Sequence, residues 1–147
     1  MITVTGEQVR QEALTWIGTP FQHAQSCKGH GADCVGLVYG VFKALGCVPA
    51  DFHPEPYSQQ WHMHKNEELL LKQAEAFGCT SVWDGELHVG DLLFFQYGRV
   101  CSHIGIYLGD GEMIHAFYQL KVAVKQPLTG DLKARLKRVM KTPWVTE

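Results

Sequence analysis

The sequence lacks the features of a protein that binds nucleic acid or crosses a membrane. It has no excess of basic residues, since 13 lysines and arginines stand against 15 aspartates and glutamates and give a formal net charge of -2. Such a chain has no strong positive field to attract a phosphate backbone or an anionic membrane surface. It also has no apolar run near the roughly 20 residues that span a bilayer. We therefore expect neither nucleic acid nor membrane insertion.

The sequence also lacks a targeting segment and a disulfide framework. Residues 1–7 show no basic start followed by an unbroken apolar run, which predicts synthesis in the cytoplasm without a signal peptide. Five cysteines are an odd number without dense spacing, so at least one thiol is expected to be free. The 147 residues contain no repeat or linker, which predicts one domain over 1–147.

The pattern of elements predicts an α+β fold. A capping box at Thr5 opens a helix whose apolar period runs to Ile17, and a polar loop over 21–33 leads into a second helix over 34–45. Residues 49–64 are predicted to be an irregular connection, and Asn66 to cap a third helix. Short β-prone runs follow at 92–95, 103–108, 112–118 and 121–125. We expect the N-terminal helices to pack on an antiparallel sheet.

Cys34 is the first candidate for chemistry, because it stands where the polar loop meets the second helix. A thiol in the first turn of a helix is close to backbone N–H groups that have no helical partner. These groups stabilise a thiolate and can donate to a developing oxyanion. Small neighbours at Gly31, Ala32 and Gly36 would leave room for a substrate carbonyl. The alternative is that Cys34 is a small buried apolar residue.

His103 and His115 are the candidate partners of this thiol, and the register of one hairpin decides whether they meet. A three-residue loop over 109–111 would pair Gly105 with His115 and put both histidines on one face. A two-residue loop would shift the pairing by one residue and send His115 to the other face. In the first register, His103 would be the base and His115 would hold its ring in one tautomer. A structural role is the alternative for each.

Five short motifs stand in the order and spacing of one protein family. They are GTPF at 18–21, DCVGL at 33–37, GDLLFF at 90–95, SHIGIYLG at 102–109 and IHA at 114–116. Together they closely resemble the NlpC family of papain-like cell-wall cysteine peptidases. The spelling of the second motif and the compact length are most similar to the branch found in tailed phages and gene transfer agents.

This resemblance implies a papain-like fold and hydrolysis of peptidoglycan stem peptides, typically between D-glutamate and a diamino acid. The reaction would pass through a thioester and need no cofactor, with Cys34 as nucleophile, His103 as base and His115 as orienting residue. Phage tail-tip proteins are the implied partners, and the protein would reach the cell wall as part of a virion or prophage.

The oxyanion site is where the sequence departs from the family. Many members carry a tyrosine upstream of the cysteine, and the nearest match here is Phe21, which has no hydroxyl. His23, from the same loop, or backbone N–H groups would have to supply the donor. We therefore take Phe21, His23 and Asp33 as candidates for the oxyanion and substrate site. Asp91, before the first long strand, is expected to tighten a turn rather than to take part in catalysis.

Other interpretations of the sequence stay open. One is a zinc site made by the run His23, Cys27, His30 and Cys34, although its ligands are not paired across a turn. Another is an inactive tail-assembly or wall-binding module of the same fold, and a third is an amidase or acyltransferase that acts on another substrate. One group of side chains in the connection either shapes substrate choice or forms a polar surface loop: His53, Tyr57, Trp61, His62 and His64.

Overall fold

A six-stranded sheet forms the centre of the protein. The computed structural model describes residues 2–49, 51–52, 69–82 and 85–146, and predictions for Asn66 and for most of 49–64 lie outside these ranges. In chain order the strands are β1 (Val4–Thr5), β2 (Ser26–Cys27), β3 (Gly31–Ala32), β4 (Thr80–Ser81), β5 (Leu92–Tyr97), β6 (Val100–Gly109), β7 (Glu112–Phe117), β8 (Val122–Pro127), β9 (Leu136–Lys141) and β10 (Val145–Thr146). The helices are α1 (Gly6–Leu14), α2 (Cys34–Ala44), α3 (Leu69–Ala76) and α4 (Gly130–Ala134), with a 3₁₀ turn at Tyr118–Leu120.

The large sheet is antiparallel throughout, in the spatial order β4-β9-β5-β6-β7-β8. One face packs against the helices through Leu37, Phe42, Ile106 and Ile114, which are at most 1% exposed. A smaller cluster on the opposite face includes Phe95. This arrangement confirms the predicted α+β class, with helices packed on an antiparallel sheet. None of the helices in the described ranges is long and apolar enough to cross a membrane.

The first helix has the predicted capping box and is shorter than predicted. The Thr5 side chain accepts from the backbone of Gln8, and the Gln8 side chain accepts from the backbone of Thr5. The helix ends at Leu14, because the next residues bond three positions back rather than four, as when Ile17 donates to Leu14. The prediction that Ile17 lies on the buried helical face is therefore wrong, and its side chain is 47% exposed.

The second helix begins at Cys34, as predicted. Asp33 is its N-cap, and its Oδ1 atom accepts from the backbone N–H of Gly36 at 2.8 Å. Every residue from Gly36 to Phe42 is buried, so the helix runs through the core instead of lying on its surface. Its first turn is thereby held at a fixed position against the sheet.

Strands β6 and β7 form a hairpin that has the two-residue turn of one predicted register and the residue pairing of the other. The tip is the two-residue turn Asp110–Gly111, which pairs Gly109 with Glu112. One extra residue on β6, Leu108, then forms a bulge, and the pairing continues as Tyr107 with Met113. The bulge cancels the one-residue shift that the short turn introduces.

Strand β9 is absent from the sequence prediction, yet it lies inside the sheet between β4 and β5. Three of its six residues are lysine or arginine, which obscures the strand pattern. Asp91 takes the structural role predicted for it. Its carboxylate accepts from the backbone of His88 at 2.8 Å and from Lys141 Nζ at 3.2 Å, which ties the turn before β5 to the end of β9.

Candidate active site

The Cys34 thiol lies at the N-terminus of α2 and against strand β6. A backbone hydrogen bond from Ile104, the residue after His103, reaches this thiol and lowers its pKa, as do the backbone groups of Val35 and Cys34 itself. Helix α2 therefore brings the cysteine to the strand that carries the candidate base. The pairing of β6 with β7 runs from the hairpin tip to Ile106 and Ile114, and Ile106 is two residues after Ile104 along β6.

Burial is the strongest influence on the pKa of this thiol. It raises the pKa of Cys34, the neighbouring Asp33 carboxylate raises it further, and together they outweigh the three backbone groups, so that the pKa is about 12. The resting nucleophile is therefore a neutral thiol. A base that accepts its proton is needed before it can attack a carbonyl carbon at neutral pH.

Two histidines that are 12 residues apart in sequence meet on the sheet. His103 Nε2 lies 2.7 Å from His115 Nδ1, within hydrogen-bonding distance. The register of the β6–β7 hairpin explains the contact, because it places both side chains on the same face of the sheet. His115 is fully buried and His103 is 7% exposed.

Aromatic rings surround the histidine pair. The His103 ring lies 5.7 Å from Phe95, 5.9 Å from Tyr97 and 5.2 Å from Phe117, measured between ring centroids. The His115 ring stacks on Phe117 at 4.8 Å. These rings exclude water, and the resulting burial lowers the pKa of His103 well below its usual value of 6.5, with a smaller contribution from His115. Burial also lowers the pKa of His115.

A glutamine completes the row of polar side chains. Gln126 Oε1 is hydrogen-bonded to His115 Nε2, so both ring nitrogens of His115 have a partner. The residue was not among the sequence candidates. It lies on β8 opposite Met113, two residues from the position opposite His115, and only the pairing of β7 with β8 reveals this neighbourhood.

The three candidates for the oxyanion and substrate site have different surroundings. Phe21 is half-buried, and its ring meets Tyr118 edge-on at 5.5 Å between centroids. His23 Nδ1 lies 4.0 Å from Asp33 Oδ2, which also accepts from the backbone of Ala24 at 2.8 Å. Asp33 thus holds the helix cap on one oxygen and the preceding loop on the other.

Two glycines near Cys34 in the sequence, Gly31 and Gly36, lie close against Gln25. A side chain at Gly36 would collide with the carbonyl oxygen of Gln25, and one at Gly31 would collide with the side chain of the same glutamine. These glycines let the loop over 22–25 pack closely against α2. That the small residues around Cys34 leave room for a substrate carbonyl stays a prediction.

The zinc interpretation has no support in the geometry. Among the residues that the structure describes, no group of three or more histidine, cysteine, aspartate or glutamate side chains is placed to hold a metal ion. The four residues of that motif are all described, and Cys27 is exposed on β2. The loop candidates His53, Tyr57, Trp61, His62 and His64 lie outside the described residues.

The chain is similar to proteins of known family. A family model of the NlpC/P60 family matches residues 18–141. The gamma-D-glutamyl-L-lysine dipeptidyl-peptidase of Bacillus subtilis is 30% identical over 116 residues, which are 76% of this chain and 32% of that protein. The gamma-DL-glutamyl hydrolase of the same species is 34% identical over 119 residues, 79% of this chain and 24% of that protein. The chain thus spans about a third or less of the length of these relatives.

The fold also matches that of solved NlpC/P60 domains. The NlpC/p60 domain of the peptidoglycan hydrolase SagA superposes with a TM-score of 0.67 and 21% identity, covering 95% of this chain and all of that one. At this identity the likeness shows the papain-like fold, which confirms the predicted fold class.

Proposed function

Since the chain belongs to the NlpC/P60 family, we propose that it is a cysteine endopeptidase that hydrolyses γ-D-glutamyl bonds in peptidoglycan stem peptides. The observation that carries this proposal is the position of Cys34 at the start of α2 beside the backbone of Ile104, the residue directly after His103. It supports a nucleophile on α2 and a base on β6 in adjoining positions, each on a rigid element of the core.

The resting pair is neutral. Burial favours the thiol form of Cys34 and the uncharged form of the His103 imidazole. His103 Nε2 is engaged by His115, so Nδ1 is the ring nitrogen that accepts the thiol proton. As this proton moves, the sulfur attacks the carbonyl carbon of the scissile amide and the charge develops on the carbonyl oxygen.

Backbone N–H groups are the proposed donors for that oxygen. The first N–H groups of α2 are directed toward Cys34, where those of Val35 and Cys34 itself lower the pKa of the thiol. Donors fixed on a helix terminus need no reorganisation when charge develops. The Phe21 side chain has no hydrogen-bond donor. The Asp33 carboxylate is negative and already accepts from two backbone N–H groups. Neither residue is therefore assigned as a donor to the oxyanion.

The intermediate then collapses in two stages. The carbon–nitrogen bond breaks, the imidazolium of His103 gives its proton to the leaving amine, and the acyl group remains on Cys34 as a thioester. A water molecule loses a proton to His103 and attacks the thioester carbon. The carbon–sulfur bond breaks, the imidazolium of His103 returns its proton to the sulfur, and the carboxylic acid and the free thiol are released.

The activities for which two relatives are named support the choice of substrate. The two Bacillus subtilis proteins are named for a γ-D-glutamyl-L-lysine bond and for γ-glutamyl bonds. Both names contain a γ-linked glutamyl residue as the acyl donor. We assign the same donor class to this chain, with a diamino acid as the leaving amine.

Defined peptides test this assignment. Under reducing conditions the protein is incubated with a stem tetrapeptide that contains the γ-D-glutamyl–diamino acid bond, with the same peptide linked through the α-carboxyl, and with poly-γ-glutamate. Mass analysis should show a dipeptide pair from the γ-linked tetrapeptide and no change in the α-linked control. Cleavage of poly-γ-glutamate alone would contradict the peptidoglycan assignment.

The same experiment separates the remaining alternatives. Retention of the protein on intact cell walls, with every peptide left uncut, would replace the peptidase with a wall-binding module. Transfer of the glutamyl group to an added amine in place of water would indicate an acyltransferase. Either outcome overturns the proposed hydrolysis.

We also propose that the protein works with phage tail-tip proteins and reaches the wall as a virion or prophage component. The support is the spelling of the motif at 33–37. Mass spectrometry of purified virions induced from the host should detect the chain in the particle. Its presence only in the host cytoplasm after induction would contradict this delivery.

A further inference from the structure

We infer that Gln126 is a positioning residue that fixes the tautomers of His115 and His103 and so leaves Nδ1 of His103 free to accept a proton. The inference deepens the proposed function and rests on it for the role of His103. The juxtaposition that carries it is a row of three polar side chains on three strands: His103 on β6, His115 on β7 and Gln126 on β8.

Gln126 lies at the outer end of the row and sets the tautomer of His115. The atom that Gln126 presents to His115 is Oε1, an amide oxygen, which can only accept. His115 Nε2 must therefore carry the hydrogen. In a neutral imidazole one nitrogen is a donor and the other an acceptor, so Nδ1 of His115 is left as an acceptor.

The tautomer of His115 in turn fixes the tautomer of His103. His103 Nε2 lies 2.7 Å from the accepting Nδ1 of His115, so His103 Nε2 donates. The remaining nitrogen of His103, Nδ1, then has a free lone pair. This is the tautomer that can accept a proton from the Cys34 thiol.

The opposite arrangement would disable the base. If the glutamine presented its NH₂ group, His115 Nε2 would accept and His115 Nδ1 would donate. His103 Nε2 would then accept, its Nδ1 would carry the hydrogen, and a neutral His103 could not take the thiol proton. The orientation of one amide on β8 thus decides whether the histidine two strands away can act as a base.

Among the residues that the structure describes, the two partners of the middle ring are both members of this row. His115 is fully buried between Phe117, the neighbouring strands and Gln126, and both of its ring nitrogens are used in the row. Gln126 itself is partly exposed on the edge strand of the sheet, so its side chain can be replaced with little change in core packing.

The ¹⁵N chemical shifts of the imidazole nitrogens report the tautomers directly. The full chain is labelled with ¹⁵N-histidine and compared with Gln126→Met, which has no acceptor oxygen, and Gln126→Glu, which keeps one. Lys125→Met is the matched control, because it lies on the same strand and its side chain is exposed. In the wild type and in Lys125→Met, both His103 and His115 should show a protonated Nε2 and a bare Nδ1.

In Gln126→Met the single tautomer of His115 should give way to a mixture. The value of kcat should then fall about tenfold or more, which is less than complete loss of general-base catalysis would cost, roughly a hundredfold to ten-thousandfold. Gln126→Glu should keep the tautomers. Its carboxylate should also move the acid limb of the pH–rate profile to higher pH, because a negative charge beside His115 favours the protonated pair.

Unchanged tautomers in Gln126→Met would overturn the inference, as would wild-type rings with hydrogen on Nδ1. The nitrogen shifts need no substrate. If the wild type cleaves no peptide while its tautomers respond to Gln126 as described, the proposed function fails and the positioning of the rings by Gln126 stands.

Discussion

The Nε2 atom of His103 lies 2.7 Å from the Nδ1 atom of His115, although a two-residue hairpin turn alone would have put these side chains on opposite faces of the sheet. The extra residue at Leu108 restores the register. A bulge near a hairpin tip thus determines whether the candidate base has an orienting partner.

The first prediction concerns that partner. In His115→Phe a ring fills the buried site without a ring nitrogen, so kcat should fall by about a hundredfold or more, since the base loses its preferred tautomer and its orientation. His115→Asn, which restores a hydrogen-bonding group, should recover part of the rate. Steady-state kinetics on a stem tetrapeptide measures both, with thermal unfolding as the check on folding. Equal rates for His115→Phe and the wild type would rule out an orienting role.

A second prediction follows from the burial of the base. The pKa of His103 is held well below 6.5, mainly by burial, and His103 must be neutral to accept the thiol proton. Activity should therefore persist on acidification below pH 6.5 and be lost only as the pH falls through the lowered pKa of His103. The profile of kcat/KM against pH measures this limb, with thermal unfolding recorded at each pH. An acid limb at or above pH 6.5 in the folded protein would contradict it.

The third prediction separates the two effects of Asp33. Asp33→Ala removes the N-cap of α2 and should lower the free energy of unfolding by about 1–2 kcal/mol. Asp33→Asn keeps a capping oxygen and should cost less. Because the Asp33 charge raises the pKa of Cys34, both variants should speed alkylation of Cys34 at pH 8.

Denaturant unfolding and site-resolved mass analysis of alkylated peptides test this pair of variants. Alkylation of Cys27, which is exposed on β2, provides the internal reference. Equal losses of stability in Asp33→Ala and Asp33→Asn would show that the cap is not the source of the effect. A slower reaction of Cys34 in Asp33→Asn would contradict the assigned influence of the charge.

The fourth prediction concerns the space beside the histidine pair. A Cβ atom at Gly105 would collide with Met113 Cε and would lie 2.8 Å from the carbonyl oxygen of Ile114 and 3.3 Å from Cβ of His115. Gly105→Ala should lower the free energy of unfolding by about 1–3 kcal/mol, a usual cost of overpacking. It should also lower kcat, because His115 must move.

Combining this change with Met113→Ala tests the cause. Removal of the Met113 side chain relieves one contact and leaves the backbone oxygen of Ile114 in place, so recovery should be partial. Full stability and activity in Gly105→Ala alone, measured by denaturant unfolding and by peptide cleavage, would show that the strands can separate there at little cost.

Local signals in the sequence account for the parts of the site that were predicted. Asp33 before Cys34 is a capping residue at the start of an apolar helical run, and both features are encoded within a few residues. The helix start therefore followed from the sequence alone. The contact of Cys34 with the strand of His103 has no such local signal, and it was expected from the resemblance to a family.

Other parts of the site and of the sheet depend on pairing between strands, which local sequence does not specify. The sequence allowed two hairpin registers, and the bulge at Leu108 combines them in a way that turn chemistry alone does not specify. Gln126 reaches His115 only because β8 pairs with β7 in one register. Strand β9 was missed because its lysines and arginines obscure the strand pattern, and the neighbouring strands rather than its own propensity hold it in the sheet.

The most direct test of the account compares two single cysteine variants with the wild type on a γ-D-glutamyl stem tetrapeptide. The three proteins are Cys34→Ala, Cys27→Ala and the unmodified chain, each shown to be folded by thermal unfolding. The account predicts equal cleavage by the wild type and Cys27→Ala, and none by Cys34→Ala. Cleavage by Cys34→Ala at the wild-type rate would contradict the assignment of Cys34 as the nucleophile.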